Sequence, residues 1–176
     1  LGLFYGMGRA KLQGQLGVTE ERAKELLATY HARVPFVKQL IYNTMDRAQK
    51  RGWIRTILGR KCRFDMWEPA TFGMHKPQTF EEASLEHGSR NIKRAFTYKA
   101  LNKLIQGSAA DMTKKAMLDL YKEGILPHIQ IHDELDISIV DDKHAQKIKD
   151  VMESAVDLKI PNKVDYESGP NWGSIK

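Results

Sequence analysis

Late in the chain, three consecutive polar residues, His132, Asp133 and Glu134, interrupt an isoleucine-rich run. Two adjacent carboxylates on a rigid support can hold a divalent cation against phosphate oxygens, because hard cations prefer oxygen ligands and keep part of their water. Taken alone, the triplet also reads as an ordinary polar turn, since Asp and Glu are common at turn ends. A second set of chemistry-bearing side chains, Tyr98, Asn102 and Gln106, recurs at four-residue steps. Asn and Gln can donate to the acceptors that every base pair presents in a minor groove, although isolated amides are usually plain surface groups. The third set is basic: Arg47, Lys50, Arg51, Arg55, Arg60, Lys61 and Arg63 fall within seventeen residues, the footprint of a polyanion partner or of a solvated basic face.

The elements that must position these groups follow from periodicity. Ile129, Ile131, Leu135, Ile137 and Ile139 alternate with polar residues, which predicts two short antiparallel strands with His132-Asp133-Glu134 at their tip. Pro127 limits the first strand upstream. Parity does not fix the direction of Asp133, because the turn resets the phase. A helical pattern over 89–123 stacks Leu101, Leu104, Ile105, Ser108 and Met112 on one side. At ~100° per residue the polar trio then occupies an adjoining strip about 80° wide, with Lys99 and Lys103 nearby.

Upstream, Thr19 is the expected N-cap of a helix that Val34-Pro35 ends, and Pro35 starts another that Gly52 ends. Trp53 to Lys61 reads as a short extended pair with basic ends, and residues 64–87 as a loop with a short helix over 79–85. Asp141 or Asp142 should cap a final helix, and 163–167 a last strand pairing with the sheet.

The 176 residues, 41% hydrophobic with a formal charge of +6, suffice for one domain or two small ones. The single cysteine, Cys62, excludes an internal disulfide and a Cys-rich zinc site. No apolar run approaches the ~20 residues of a membrane helix, and the first residues do not form a charged leader followed by an apolar stretch. The expected location is cytoplasmic, with an organelle matrix left open.

Four stretches, in order, carry a resemblance. Gln130-Ile131-His132-Asp133-Glu134-Leu135 resembles motif C of the family A DNA polymerases, the group of bacterial polymerase I and the T7-like phage enzymes. Leu1-Gly2-Leu3-Phe4-Tyr5-Gly6-Met7-Gly8 resembles the second half of motif B, the end of the fingers helix that closes over the incoming nucleotide. Residues 100–111, Ala-Leu-Asn-Lys-Leu-Ile-Gln-Gly-Ser-Ala-Ala-Asp, are similar to the palm helix that reads the minor groove, and Gly169-Pro170-Asn171-Trp172-Gly173 to the ending of T7-like members. A fifth stretch, Trp53 to Lys61, resembles the family's hairpin leading into a Gly-Arg-Arg-like turn.

The resemblance implies an α+β fold: a fingers portion over 1–62, a loop or insertion over 63–88, and a palm portion with the motif C hairpin over 89–176. It casts Asp133 and Glu134 as catalytic carboxylates on two Mg2+ ions. His132 falls at the primer terminus, Tyr5, Gly6 and Leu1 at the dNTP, and Asn102, Gln106, Tyr98, Arg55 and Arg60 on template-primer DNA. Leu1 stands where many relatives carry Phe or Tyr, and Tyr98 where relatives often have Arg or His. Motif A and the triphosphate-gripping Arg and Lys have no counterpart here. The expectation is therefore the carboxyl-terminal part of a split polymerase, inactive alone, whose companion chain carries motif A, the thumb and an optional exonuclease. A non-catalytic DNA-binding module is the competing class, and a metal-dependent nuclease a third.

Overall fold

The computed structural model describes residues 2, 3 and 7–175, which fall into two compact units, Leu1–Ile105 and Gln106–Lys176. Among the described residues helices dominate, accompanied by three separate two-stranded antiparallel sheets, so the α+β expectation holds.

In the first unit, α1 (Arg9–Leu16) ends at Gly17, whose φ of 62° lets its N–H turn back to the Gln13 carbonyl at 2.9 Å. Its residues, Arg-Ala-Lys-Leu-Gln-Gly-Gln-Leu, carry no apolar stripe, and Leu12 is its only buried residue. Thr19 caps α2 (Glu20–Arg33), accepting the Arg22 N–H at 3.3 Å, while Glu20 and Glu21 complement the positive end of the helix. Val34 separates it from α3 (Pro35–Arg51), which starts on proline, where a missing N–H costs nothing. Gly52 closes α3 with φ 75°. A Cβ there would also lie 2.6 Å from the Arg94 guanidinium, so two independent constraints select glycine.

The chain then forms the hairpin β1 (Trp53–Arg55) and β2 (Lys61–Arg63), with Ile54 opposite Cys62. Its loop is closed by the Thr56 N–H on the Arg60 carbonyl at 3.0 Å and the Arg60 N–H on Thr56 Oγ1 at 3.0 Å. Ala48, Ile54, Phe64 and Ala100 form the core of this region, with Cys62, Phe96 and Leu104 packed against it.

The 64–87 stretch holds more order than a loop. β3 (Trp67–Pro69) pairs with β4 (Ile92–Arg94), and α4 (Phe80–His87) begins with a reciprocal capping box between Thr79 and Glu82. The predicted short helix at 79–85 is α4. The long helix does not begin at Ser89. β4 occupies 92–94, Phe96 adopts φ 61°, a 3-10 turn spans Thr97–Lys99, and only then does α5 (Ala100–Lys122) start. The sheet partner of β4 lies some 25 residues upstream, and long-range pairing overrides local helical periodicity.

In the second unit, Leu120, Ile125 and Ile148 form a core that Leu135, Ile137, Val151 and Met152 complete. α5 stops at Gly124, φ 74°, and the hairpin β5 (Ile129–Ile131) and β6 (Glu134–Asp136) follows. Asp141 caps α6 (Asp142–Ser154) by accepting the His144 N–H at 2.7 Å. The predicted strand over 163–167 is not among the described strands. That stretch is tied instead to Glu153 of α6, which accepts the Val164 N–H at 3.0 Å and the Lys163 ammonium at 3.2 Å. A carboxylate thus takes the place of a ladder.

Candidate active site

The β5–β6 hairpin pairs Ile129 with Asp136, Gln130 with Leu135 and Ile131 with Glu134. Directly opposite residues share a face, so the isoleucines of β5 and Leu135 of β6 lie on opposite faces of the ribbon. Leu135 faces the core, and alternation then carries Glu134 and Asp136 to the other side. Packing of Leu135 and Ile137 is what anchors the acidic end.

Two residues, His132 and Asp133, make the whole connection. Such loops need a left-handed residue at the first central position to match strand twist, and glycine is the default there. His132 holds that position with φ 50°, a conformation that costs an L residue about 1–2 kcal/mol. Gln130 steadies the turn by donating Nε2 to the His132 carbonyl at 2.6 Å. Strain kept at a tip is a reason to look for function in the side chain that causes it.

His132, Asp133 and Glu134 are all exposed. Neither carboxylate has an ion pair or hydrogen bond among the described residues, so each is available to a cation or donor from outside. As hard oxygen donors they fit magnesium in kind. They would supply only part of a metal's ligands, since no group of three His, Cys, Asp or Glu side chains able to hold a metal occurs among the described residues.

Asn102 and Gln106 stand one turn apart on α5. Gln106 is exposed, whereas Asn102 is half-buried and keeps its Oδ1 atom out of solvent with no hydrogen-bond donor among the described residues. Tyr98 precedes them in the 3-10 turn, 62% exposed, with the Lys99 ammonium 5.5 Å from its ring. Arg55 and Arg60 share the β1–β2 hairpin, and Arg55 donates Nη1 to the Gly59 carbonyl at 2.9 Å. Leu1, Tyr5 and Gly6 lie outside the described residues. The structure thus brings the acidic triplet together in one unit and the two arginines together in the other.

One grouping escaped the sequence. The Trp53 ring carries three cations, Arg51 at 5.8 Å, Arg55 at 5.1 Å and Lys61 at 5.0 Å from its centroid. The available signal was an aromatic residue flanked by basic ones two positions away on each side. No helix among the described residues is long and apolar enough to cross a membrane.

The family model described as DNA polymerase family A matches residues 1–174. The DNA-directed DNA polymerase of Pseudomonas phage M6 is 31% identical over 98% of this chain and 28% of its own length. DNA polymerase I of Geobacillus stearothermophilus is 33% identical over 99% of this chain and 19% of its own. Among solved structures, one described as the POL domain of Pol1 from M. smegmatis in complex with DNA primer-template and dNTP matches with a TM-score of 0.67. Its identity is 28%, covering 91% of this chain and 27% of that one. The chain therefore spans less than a third of the length of these relatives.

Proposed function

This chain belongs to DNA polymerase family A, and from that membership we propose that it supplies the motif C end of a template-directed DNA polymerase and works with polypeptide outside these 176 residues. The observation that carries the reading is Asp133, exposed and unpaired beside Glu134 on a hairpin whose other face is packed into a core. Nucleotidyl transfer joins a primer 3' hydroxyl to the α-phosphate of a dNTP and releases pyrophosphate. Asp133 and Glu134 would hold magnesium at that junction; when bound, the cation neutralises charge developing on phosphate oxygens.

The chain's own residues orient the substrates. His132, held at the tip by its left-handed backbone, points to contact with the primer terminus. Asn102 and Gln106 offer donors at successive positions along a minor groove, where the acceptors common to all base pairs report pairing geometry. Arg55 and Arg60, with Tyr98 beside α5, meet the template-primer backbone, and Leu1, Tyr5 and Gly6 meet the incoming nucleotide. In this reading fingers residues lie within 1–62, an inserted element over 63–88, and palm residues within 89–176, in a cytoplasmic setting.

Two neighbouring carboxylates do not hold two cations alone, so the second aspartate comes from a companion that carries motif A. The test mixes the chain with such a partner and follows magnesium-dependent primer extension. Extension only with both components supports the reading. Equal activity with and without the partner would remove the companion from it.

A further inference from the structure

We propose that a cleft between the carboxyl-terminal half of α3 and β1 binds phosphates of a nucleic-acid backbone, and that Trp53 is the residue that organises it. The cleft encloses about 320 Å³, and Arg47, Arg51, Trp53 and Arg55 line it over an apolar floor of Ile54 and Leu104. Arg47 and Arg51 are four residues apart on α3 and so lie on one face, and Arg55 follows on β1. Three arginines thus line one concavity.

Their counter-charge is missing. No acid occurs between Asp46 and Asp65 in the sequence, and Asp46 itself is engaged by Lys50 at 2.9 Å. Among the described residues no carboxylate lies within ion-pair distance of Arg47, Arg51 or Arg55. A cation in the last turn of α3 complements the helix dipole, which accounts for Lys50 and Arg51. It does not account for Arg47 or Arg55. The Trp53 ring does part of that work, since its electron-rich faces attract Arg51, Arg55 and Lys61 and hold like charges close together. What such a cluster lacks is an anion, and planar guanidinium forks match phosphate oxygens in pairs.

The polymerase reading enters only in identifying the anion as nucleic acid rather than free phosphate. The test measures the affinity of the 176-residue chain for a labelled primer-template across a range of salt. Each phosphate contact contributes ~0.9 to the magnitude of the log–log slope on duplex DNA. The double variant Arg47→Gln/Arg51→Gln, at exposed positions that preserve the fold, is expected to lower that magnitude by about 1.8 and weaken binding at least tenfold at low salt. Trp53→Leu should lower it as well, while Trp53→Phe, which keeps a π-face, should restore it. Pyrophosphate and inorganic phosphate should displace the DNA no better than sulfate at equal ionic strength.

An unchanged slope in the double arginine variant would overturn the proposal. So would saturable displacement by pyrophosphate that this variant abolishes, because the cleft would then serve a free anion. Failure of primer extension with the slope effect intact defeats the polymerase reading alone; extension with no slope effect defeats the cleft alone.

Discussion

Ile131 and Glu134 face each other as the last cross-strand pair of the β5–β6 hairpin, leaving only His132 and Asp133 to make the turn. The register puts Glu134 on the face away from Leu135 and the core, and the short loop holds Asp133 at an exposed tip. The acidic end is presented by a framework too short to fold back on itself.

The left-handed backbone of His132 makes its replacement informative. His132→Gly removes a penalty of about 1–2 kcal/mol and returns roughly 0.5–1 kcal/mol as chain entropy. Denaturant unfolding should show stability unchanged or raised by up to about 1.5 kcal/mol, while primer extension with the companion falls. Reduced stability with full extension would make the imidazole a structural group.

Gly52→Ala should be costly for two reasons, a φ of 75° and a Cβ 2.6 Å from the Arg94 guanidinium. That guanidinium also donates to the Phe64 carbonyl at 2.8 Å and lies 4.5 Å from the centre of the Trp67 ring, so its displacement disturbs β3 as well. A loss of about 1–3 kcal/mol is expected in urea unfolding. A change below about 0.5 kcal/mol would contradict this account of the α3–β1 junction.

Acid should release the 163–164 stretch. The Val164 backbone N–H, and after it the Lys163 ammonium, hold Glu153 below its ordinary pKa of 4.5. A folded-state value below the unfolded one stabilises above the unfolded value, and that contribution is lost as pH falls through the folded one. The Val164 amide should therefore stay protected from exchange above pH 4.5 and lose protection progressively below it. Protection that instead declined on raising the pH from 5 to 7, after correction for intrinsic exchange, would refute the assignment.

Much of this arrangement was legible in the residues. Thr19, Pro35 and Gly52 act within a turn of their own positions, so the ends of α2 and α3 could be read from them. Ile129 to Asp136 alternates around a polar pair, which was enough for the hairpin but not for its facing, since a two-residue turn shifts the phase. The β3–β4 sheet was hidden because Trp67 meets Arg94 across 26 intervening residues, and Phe96 takes a left-handed conformation that no composition signal announces. The arginine cluster was visible as charge. That Trp53 gathers three of its cations around one ring needed coordinates.

The most direct measurement compares Asp133→Asn with the unaltered chain in magnesium-dependent primer extension, with companion present and template-primer affinity measured in parallel. Stabilisation of phosphate charge by bound cations is worth several kcal/mol, so extension should fall at least about a thousandfold at ~1.4 kcal/mol per factor of ten, with affinity within about threefold of the original. Full extension by the asparagine variant would contradict the account and leave a chain that binds nucleic acid without taking part in its synthesis.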